Sequence, residues 1–157
     1  MILTITDDLD LDRIADSGQC FRWTKIEPRT YRIIAGSRCL YLTALGQIRY
    51  ELDCSEESFD TFWRSYLDLD EDYARIRARI DPKSDPFLSL AAEHEKGIRI
   101  LRQDPWEMLV TFIISQNRNI PAIRRSVELL AEQCARSEKT AAARSIMPSP
   151  LPRPSQP

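Results

Sequence analysis

The residues best placed to do chemistry in this 157-residue chain are polar groups set among apolar ones. Asn117, Arg118 and Asn119 interrupt an otherwise largely apolar stretch with helical spacing, residues 97–134. An asparagine amide both donates and accepts hydrogen bonds, so this corner either turns the chain and caps the next helix or offers its arms to a partner. A second group is SGQCFRW, Ser17 to Trp23, in which a glycine precedes aromatic and cationic side chains. Taken alone, it reads equally well as a turn glycine leading into a strand with core aromatics.

Other chemistries find little support. Cys20, Cys39, Cys54 and Cys134 lie far apart, no CxxC occurs, and His94 is the sole histidine, so no metal or other cofactor is expected. The acidic run Asp68, Asp70, Glu71, Asp72 suits a solvated helix start better than a metal site. Of the lysines, Lys25, Lys83, Lys96 and Lys139, none follows a glycine-rich loop, because Gly18, Gly36, Gly46 and Gly97 are all isolated.

The elements that must position these groups change character along the chain. Phe21 to Ile26, Tyr31 to Ala35, Cys39 to Thr43 and Ile48 to Leu52 are short β-prone runs punctuated by Pro28, Gly36 and Gly46, which predicts an antiparallel sheet of hairpins. From Ser55 to Tyr66 the period becomes helical, with Phe59, Phe62, Trp63 and Tyr66 on one side. Tyr73, Ile76 and Ile80 suggest a second helix and Pro86 to His94 a third, stopped by Gly97. Asp104, Pro105 and Glu107 form a helix start: a side-chain cap, a proline whose missing N–H costs little, and an acid near the positive end of the dipole. The following Leu109, Val110, Phe112, Ile113 and Ile114 leave almost no polar face, so that helix is expected to be buried. A last helix, from about Ile120 to Cys134, should bury Ile123, Val127 and Leu130.

Charge is uneven. Residues 1–95 carry 12 basic and 19 acidic groups, residues 96–134 carry 6 and 4, and the remainder 4 and 1, so a polyanion should meet the second half. The amino terminus contains acidic residues, and no apolar run is long enough to span a bilayer; a soluble cytosolic protein without a membrane partner is expected. Oligomeric state is not readable from these features.

Together, SGQCFRW and GIRILRQDPWE through SQNRNI resemble the 8-oxoguanine DNA glycosylases of the helix-hairpin-helix superfamily. That resemblance implies an α+β fold, a small antiparallel, TBP-like sheet domain with helices over residues 1–95, followed by the first helices of an all-α glycosylase domain over 96–134. It implies base-excision repair of double-stranded DNA containing an oxidised guanine, by hydrolysis of the N-glycosyl bond and β-elimination. Such enzymes rotate the target nucleotide out of the duplex. By the same resemblance, the Gly18 carbonyl would accept the N7–H that oxidised guanine has and guanine lacks, with Gln19, Phe21, Arg22 and Trp23 in the same motif. Asn117 would enter the duplex beside the orphaned cytosine, flanked by Arg118 and Asn119.

The chain departs from the family in three places. Arg118 replaces an asparagine, and Ala122 stands where an arginine usually reads the orphan cytosine; Arg118, Arg124 and Arg125 are candidates to replace it, or are phosphate contacts or a solvated face. The lysine of an LPGVGxKxA hairpin and its downstream aspartate are absent, so no catalytic residue is assigned and a catalytically inactive fragment is expected. After Cys134 the apolar period ends and five of ten prolines fall in the last ten residues, so 135–157 is expected to be a disordered tail, read as out-of-frame translation after a frameshift. The alternatives are a naturally short, non-catalytic DNA-binding module and an α+β interaction domain.

Overall fold

In a computed structural model the backbone is described for residues 1–146 and the side chains for residues 1–134. Five strands, β1 (Ile2–Thr4), β2 (Trp23–Glu27), β3 (Thr30–Ala35), β4 (Arg38–Gly46) and β5 (Arg49–Leu52), form one antiparallel sheet in the order β1-β5-β4-β3-β2. Four of these strands follow the alternation visible in the sequence. The fifth, β1, is too short to show a period, and it closes the sheet edge by pairing Leu3 with Tyr50.

The alternation has a physical outcome. Tyr31, Ile33 and Ala35 of β3 and Leu40 and Leu42 of β4 are all buried, whereas Thr30, Arg32 and Ile34, on the opposite face of the sheet, are partly exposed. Over the buried face lies α1 (Leu11–Asp16), whose Ile14 is fully buried and whose first turn is capped by Asp10 accepting from the Arg13 N–H. Beside it runs the segment 56–66, made of α2 (Glu56–Ser58), a π-helical turn Phe59–Trp63 and α3 (Arg64–Tyr66). The sequence predicts a plain helix here; instead the Arg64 N–H reaches back five residues to the Phe59 carbonyl. Phe59, Trp63 and Tyr66 still reach the core, where Trp63 and Tyr66 meet edge to face at 5.5 Å and the Trp23 indole N–H donates to the Tyr66 hydroxyl at 3.0 Å.

Three further short helices follow: α4 (Tyr73–Arg77), α5 (Pro86–His94) and α6 (Pro105–Ser115). Gly97 follows α5 as expected, at φ +98°, but it does more than stop a helix: a Cβ there would lie 2.6 Å from the Asp10 Cβ. The close approach lets the Asp10 N–H donate to the Gly97 carbonyl at 2.9 Å. The last helix, α7 (Ile120–Ile146), runs past Cys134. Residues 135–146 are therefore helical rather than disordered, consistent with their Ala, Arg, Lys and Glu content; the proline-rich remainder of the expected tail lies outside the described residues.

The expected burial of α6 also needs correction. Only Thr111 on that helix is buried, and Trp106, Phe112 and Ile113 are each more than 60% exposed. Its partner α7 covers one side, through Ile123 and Val127, and the apolar side away from it faces solvent among the described residues.

One buried cation ties the layers together. Arg99, 1% exposed, donates from Nε to the Asp8 carbonyl at 3.1 Å, from Nη1 to the carbonyls of Asp68 at 2.7 Å and Glu71 at 3.3 Å, and from Nη2 to the Asp7 carboxylate at 2.9 Å. Its guanidinium lies 4.8 Å from the centre of the Tyr73 ring. Burial pushes the Asp7 carboxyl up, but the N–H groups of Asp8 and Tyr73 and the guanidinium groups of Arg99 and Arg77 outweigh it, leaving a net downward shift. Replacing Arg99 by Met should cost about 3–5 kcal/mol in denaturant unfolding, because Asp7 and three carbonyls lose their donor. In the unsubstituted chain the Asp7 contribution is complete above an ordinary aspartate pKa of about 4 and is lost as pH falls through the lower folded value. The difference in unfolding free energy between the two proteins should therefore shrink in strong acid; a constant difference would assign the effect to packing alone.

Candidate nucleic-acid interface

The glycine loop and the asparagine corner are built differently. The loop follows α1, whose last turn ends with the Ser17 N–H and hydroxyl both donating to the Ile14 carbonyl. Gly18 then takes φ +81°, and a Cβ at that position would meet nothing within 4 Å. The left-handed backbone, rather than crowding, is what favours glycine here, and open space lies beside it.

Gln19 holds the loop in place. Its Oε1 accepts the Leu101 N–H at 2.9 Å, its Nε2 donates to the Arg99 carbonyl at 2.8 Å, and its own carbonyl accepts from Gln103 Nε2 at 2.6 Å. The Gln19 amide is thus spent inside the chain, pinning the Gly18 loop to the extended segment that carries Arg99. This positioning set, Gln19 with Arg99 and Gln103, is invisible in the sequence because its partners lie 80 and 84 positions away. Phe21 is half-buried, Trp23 is buried in the core, and Arg22 is held by the Gly36 carbonyl and the Glu107 carboxylate, each at 3.5 Å.

At the corner between α6 and α7 the three polar residues divide their duties. Asn119 is the cap: its Oδ1 accepts the Ala122 N–H at 3.0 Å. Asn117 makes the turn at φ +57°, is exposed, and its side-chain amide has no partner among the described residues. Arg118 is exposed too; its N–H donates to the Ser115 carbonyl and its Nη1 to the Ser126 hydroxyl at 2.9 Å.

Among the described residues no hydrogen bond joins the corner directly to the glycine loop. The two are linked through Arg124, which donates to the Ala15 carbonyl at 2.9 Å and lies 3.8 Å from the Asp16 carboxylate. Arg124 therefore docks α7 onto the end of α1 through Nη2, with part of its side chain still exposed. Cys20, next to Gln19, is 2% exposed, and burial pushes its pKa up to about 12, with Arg124 opposing and Asp16 adding to the shift.

Two clefts flank α6, each of about 280 Å³. One, at the α6 N-terminus, is lined by Arg38, Phe62, Tyr66, Arg102 and Gln103; the other is an apolar groove between α6 and α7 lined by Trp106, Val110, Ile114, Val127 and Leu130. Neither is lined by a lysine. Lys25 is paired with Asp12, and Lys96 lies 3.8 Å from Asp8. Open space adjoins the Gly18 backbone, and the side chains of Asn117 and Arg118 are exposed.

Residues 1–109 match the family described as the 8-oxoguanine DNA glycosylase N-terminal domain. The match extends from the sheet into α6 and stops short of the corner. Among curated relatives, the N-glycosylase/DNA lyase OGG1 of Arabidopsis thaliana is 30% identical over 132 residues, covering 79% of this chain and 35% of its own length. The N-glycosylase/DNA lyase of Saccharomyces cerevisiae is 29% identical, covering 75% and 34%. The chain thus spans about a third of the length of these relatives. Similar solved structures include MBOgg1 in complex with a low-affinity DNA ligand, at 39% identity and TM-score 0.72, covering 78% of this chain and 42% of that one. The 8-oxoguanine glycosylase/lyase of Clostridium acetobutylicum is similar both in its apo form (38%, TM-score 0.71, 78% and 42%) and with double-stranded DNA containing cytosine opposite 8-oxoG (37%, 0.68, 79% and 45%).

The division of labour at the corner has a measurable consequence. Asn119→Ala should lower stability by about 1 kcal/mol through the lost cap, whereas Asn117→Gly should leave it unchanged or slightly raised, since glycine accepts the same φ. Equal losses in thermal unfolding would mean that Asn117 is a structural residue as well.

Proposed function

Since the chain belongs to the 8-oxoguanine DNA glycosylase family through its N-terminal domain, we propose that it binds double-stranded DNA carrying an oxidised guanine and holds the duplex at the extruded base, in base-excision repair, without itself breaking a bond. The observation that carries this reading is the uncommitted amide of Asn117, exposed at the tip of a corner that Asn119 alone suffices to cap. A free donor and acceptor on a strained, outward-facing turn is the kind of group that can fill the gap left by a rotated nucleotide. Gly18 supports the same reading: open space adjoins its backbone, and Gln19 fixes that backbone through two amide hydrogen bonds.

Binding and catalysis separate in this proposal. Whole relatives are named N-glycosylase/DNA lyases, and lyase chemistry needs an amine able to attack the sugar. Lys25 is engaged with Asp12 and Lys96 lies near Asp8, on the acidic first half of the chain. The chain is accordingly proposed as a binding module of such an enzyme.

Two measurements test this. Borohydride treatment of the chain with a duplex containing 8-oxoguanine should give no covalent adduct; an adduct mapping to any lysine would overturn the non-catalytic half. In binding titrations, Asn117→Ala should weaken affinity for the lesion duplex at least severalfold more than for the undamaged duplex, because the amide acts only once the base has left the stack. Equal loss on both would reduce Asn117 to a turn residue, and no duplex binding at all would remove the reading.

A further inference from the structure

An apolar helix face gains stability only when something covers it, and one face of α6 has no cover among the described residues. Trp106, Leu109, Phe112 and Ile113 stand 71, 48, 63 and 63% exposed. They share one arc of the helix, on the side away from the buried Thr111. Steps of three and four residues are the spacing at which a helix meets a second helix packed along it. No charged residue lies between Met108 and Asn117, and Glu107, on another side of α6, is held by Arg22. Leu130 of α7 lines the same groove as Trp106 and carries the apolar surface across to the neighbouring helix.

We propose that a second copy of this chain covers the stripe, in a twofold dimer whose two α6 helices lie antiparallel. A contact between identical surfaces sets each charged region near its own copy, so a charge-free patch is the one that closes on itself without like-charge repulsion. α6 meets that condition from Met108 to Ser115. The exposed Phe87 and Leu90 of α5 do not, because that helix begins at Asp85 and ends with Glu93, His94 and Glu95. An axis crossing α6 near its middle brings Trp106 of each chain toward Ile113 of the other and the two Leu109 side chains together. The acidic first turn, Asp104 and Glu107, then falls opposite the uncharged end at Ser115 and Gln116, and the positive end of each helix dipole lies beside the negative end of the other.

The size of the patch agrees with this occupant. The four side chains leave on the order of 500 Å² of apolar surface per chain in water, near the upper end of what a monomer keeps exposed. Two copies, with the groove edge at Leu130 and a polar rim, bury about 1,200 Å², the lower end of a stable interface, so the dimer is expected to form at micromolar concentrations. Asn117 and Arg118 lie beyond the last residue of the stripe, and the proposal stands independently of the duplex-binding reading.

The test uses the full chain with reductant present, since Cys39 and Cys134 are exposed. In sedimentation velocity from about 1 to 100 µM, the mass should rise from one chain to a plateau at two. Trp23 and Trp63 are buried, so acrylamide quenching of the fluorescence reports Trp106, and it should increase as the protein is diluted through the same range. Phe112→Glu and Ile113→Glu, each at a side chain already exposed, should raise the dissociation constant of the dimer by about tenfold or more with the circular dichroism spectrum unchanged. Leu90→Glu should leave it within about twofold, as a substitution outside the contact. A one-chain mass throughout, growth past two chains without a plateau, or quenching indifferent to dilution would each overturn the proposal, and none of these readings needs a variant. A dimer that survives both α6 substitutions, or one lost in Leu90→Glu, would overturn it as well.

Discussion

A guanidinium taken out of water must be repaid by hydrogen bonds, and the architecture is organised around that requirement at Arg99. Its partners come from the loop after β1, from the turn after α3 and from the approach to α4, so three segments distant in sequence are held at one point. Removing any of them would leave a buried charge short of acceptors, which is costly enough to make the assembly cooperative. The same segment that brings in Arg99 also presents its backbone to Gln19 on either side of Ile100. The sheet domain and the glycine loop therefore depend on one strut, and Gly97, pressed against Asp10, sets the direction from which the strut enters.

The second half of the chain is attached more sparingly. α6 begins where the strut ends, capped by Asp104, and α7 returns to lay Arg124 on the end of α1. Between them the asparagine corner projects outward with Asn117 and Arg118 uncommitted to the core. The Asn119 cap fixes the start of α7 behind the turn, and the polar groups in front of it are open to a partner.

Much of this was legible from the residues alone, for local reasons. The hairpin strands followed from period-two alternation, the start of α6 from Asp104, Pro105 and Glu107, and Gly97 from its place after an apolar period. The elements that escaped are those without a period of their own: β1 has three residues and α1 six. Burial of α6 was overestimated because an apolar sequence shows what a helix wants to cover and not whether a cover is present. The division between Asn117 and Asn119 is hidden for a related reason, as both fit a corner and only the folded chain shows that one amide meets the Ala122 N–H while the other has no partner among the described residues. Arg99 reads in sequence as an ordinary polar residue, and Gln19 and Arg124 as candidates for contact with DNA rather than as internal struts, since the partners of all three are far along the chain.

The burial of Cys20 in the core beside α1 has a kinetic side. With its pKa raised to about 12, roughly one thiol in a hundred thousand is thiolate at neutral pH, and the residue is buried in the core cluster. Alkylation at this position therefore has to wait for the core around α1 to open, and its rate becomes a clock for that opening. Cys39 and Cys134, exposed elsewhere on the chain, run without that delay and supply the reference against which the clock is read.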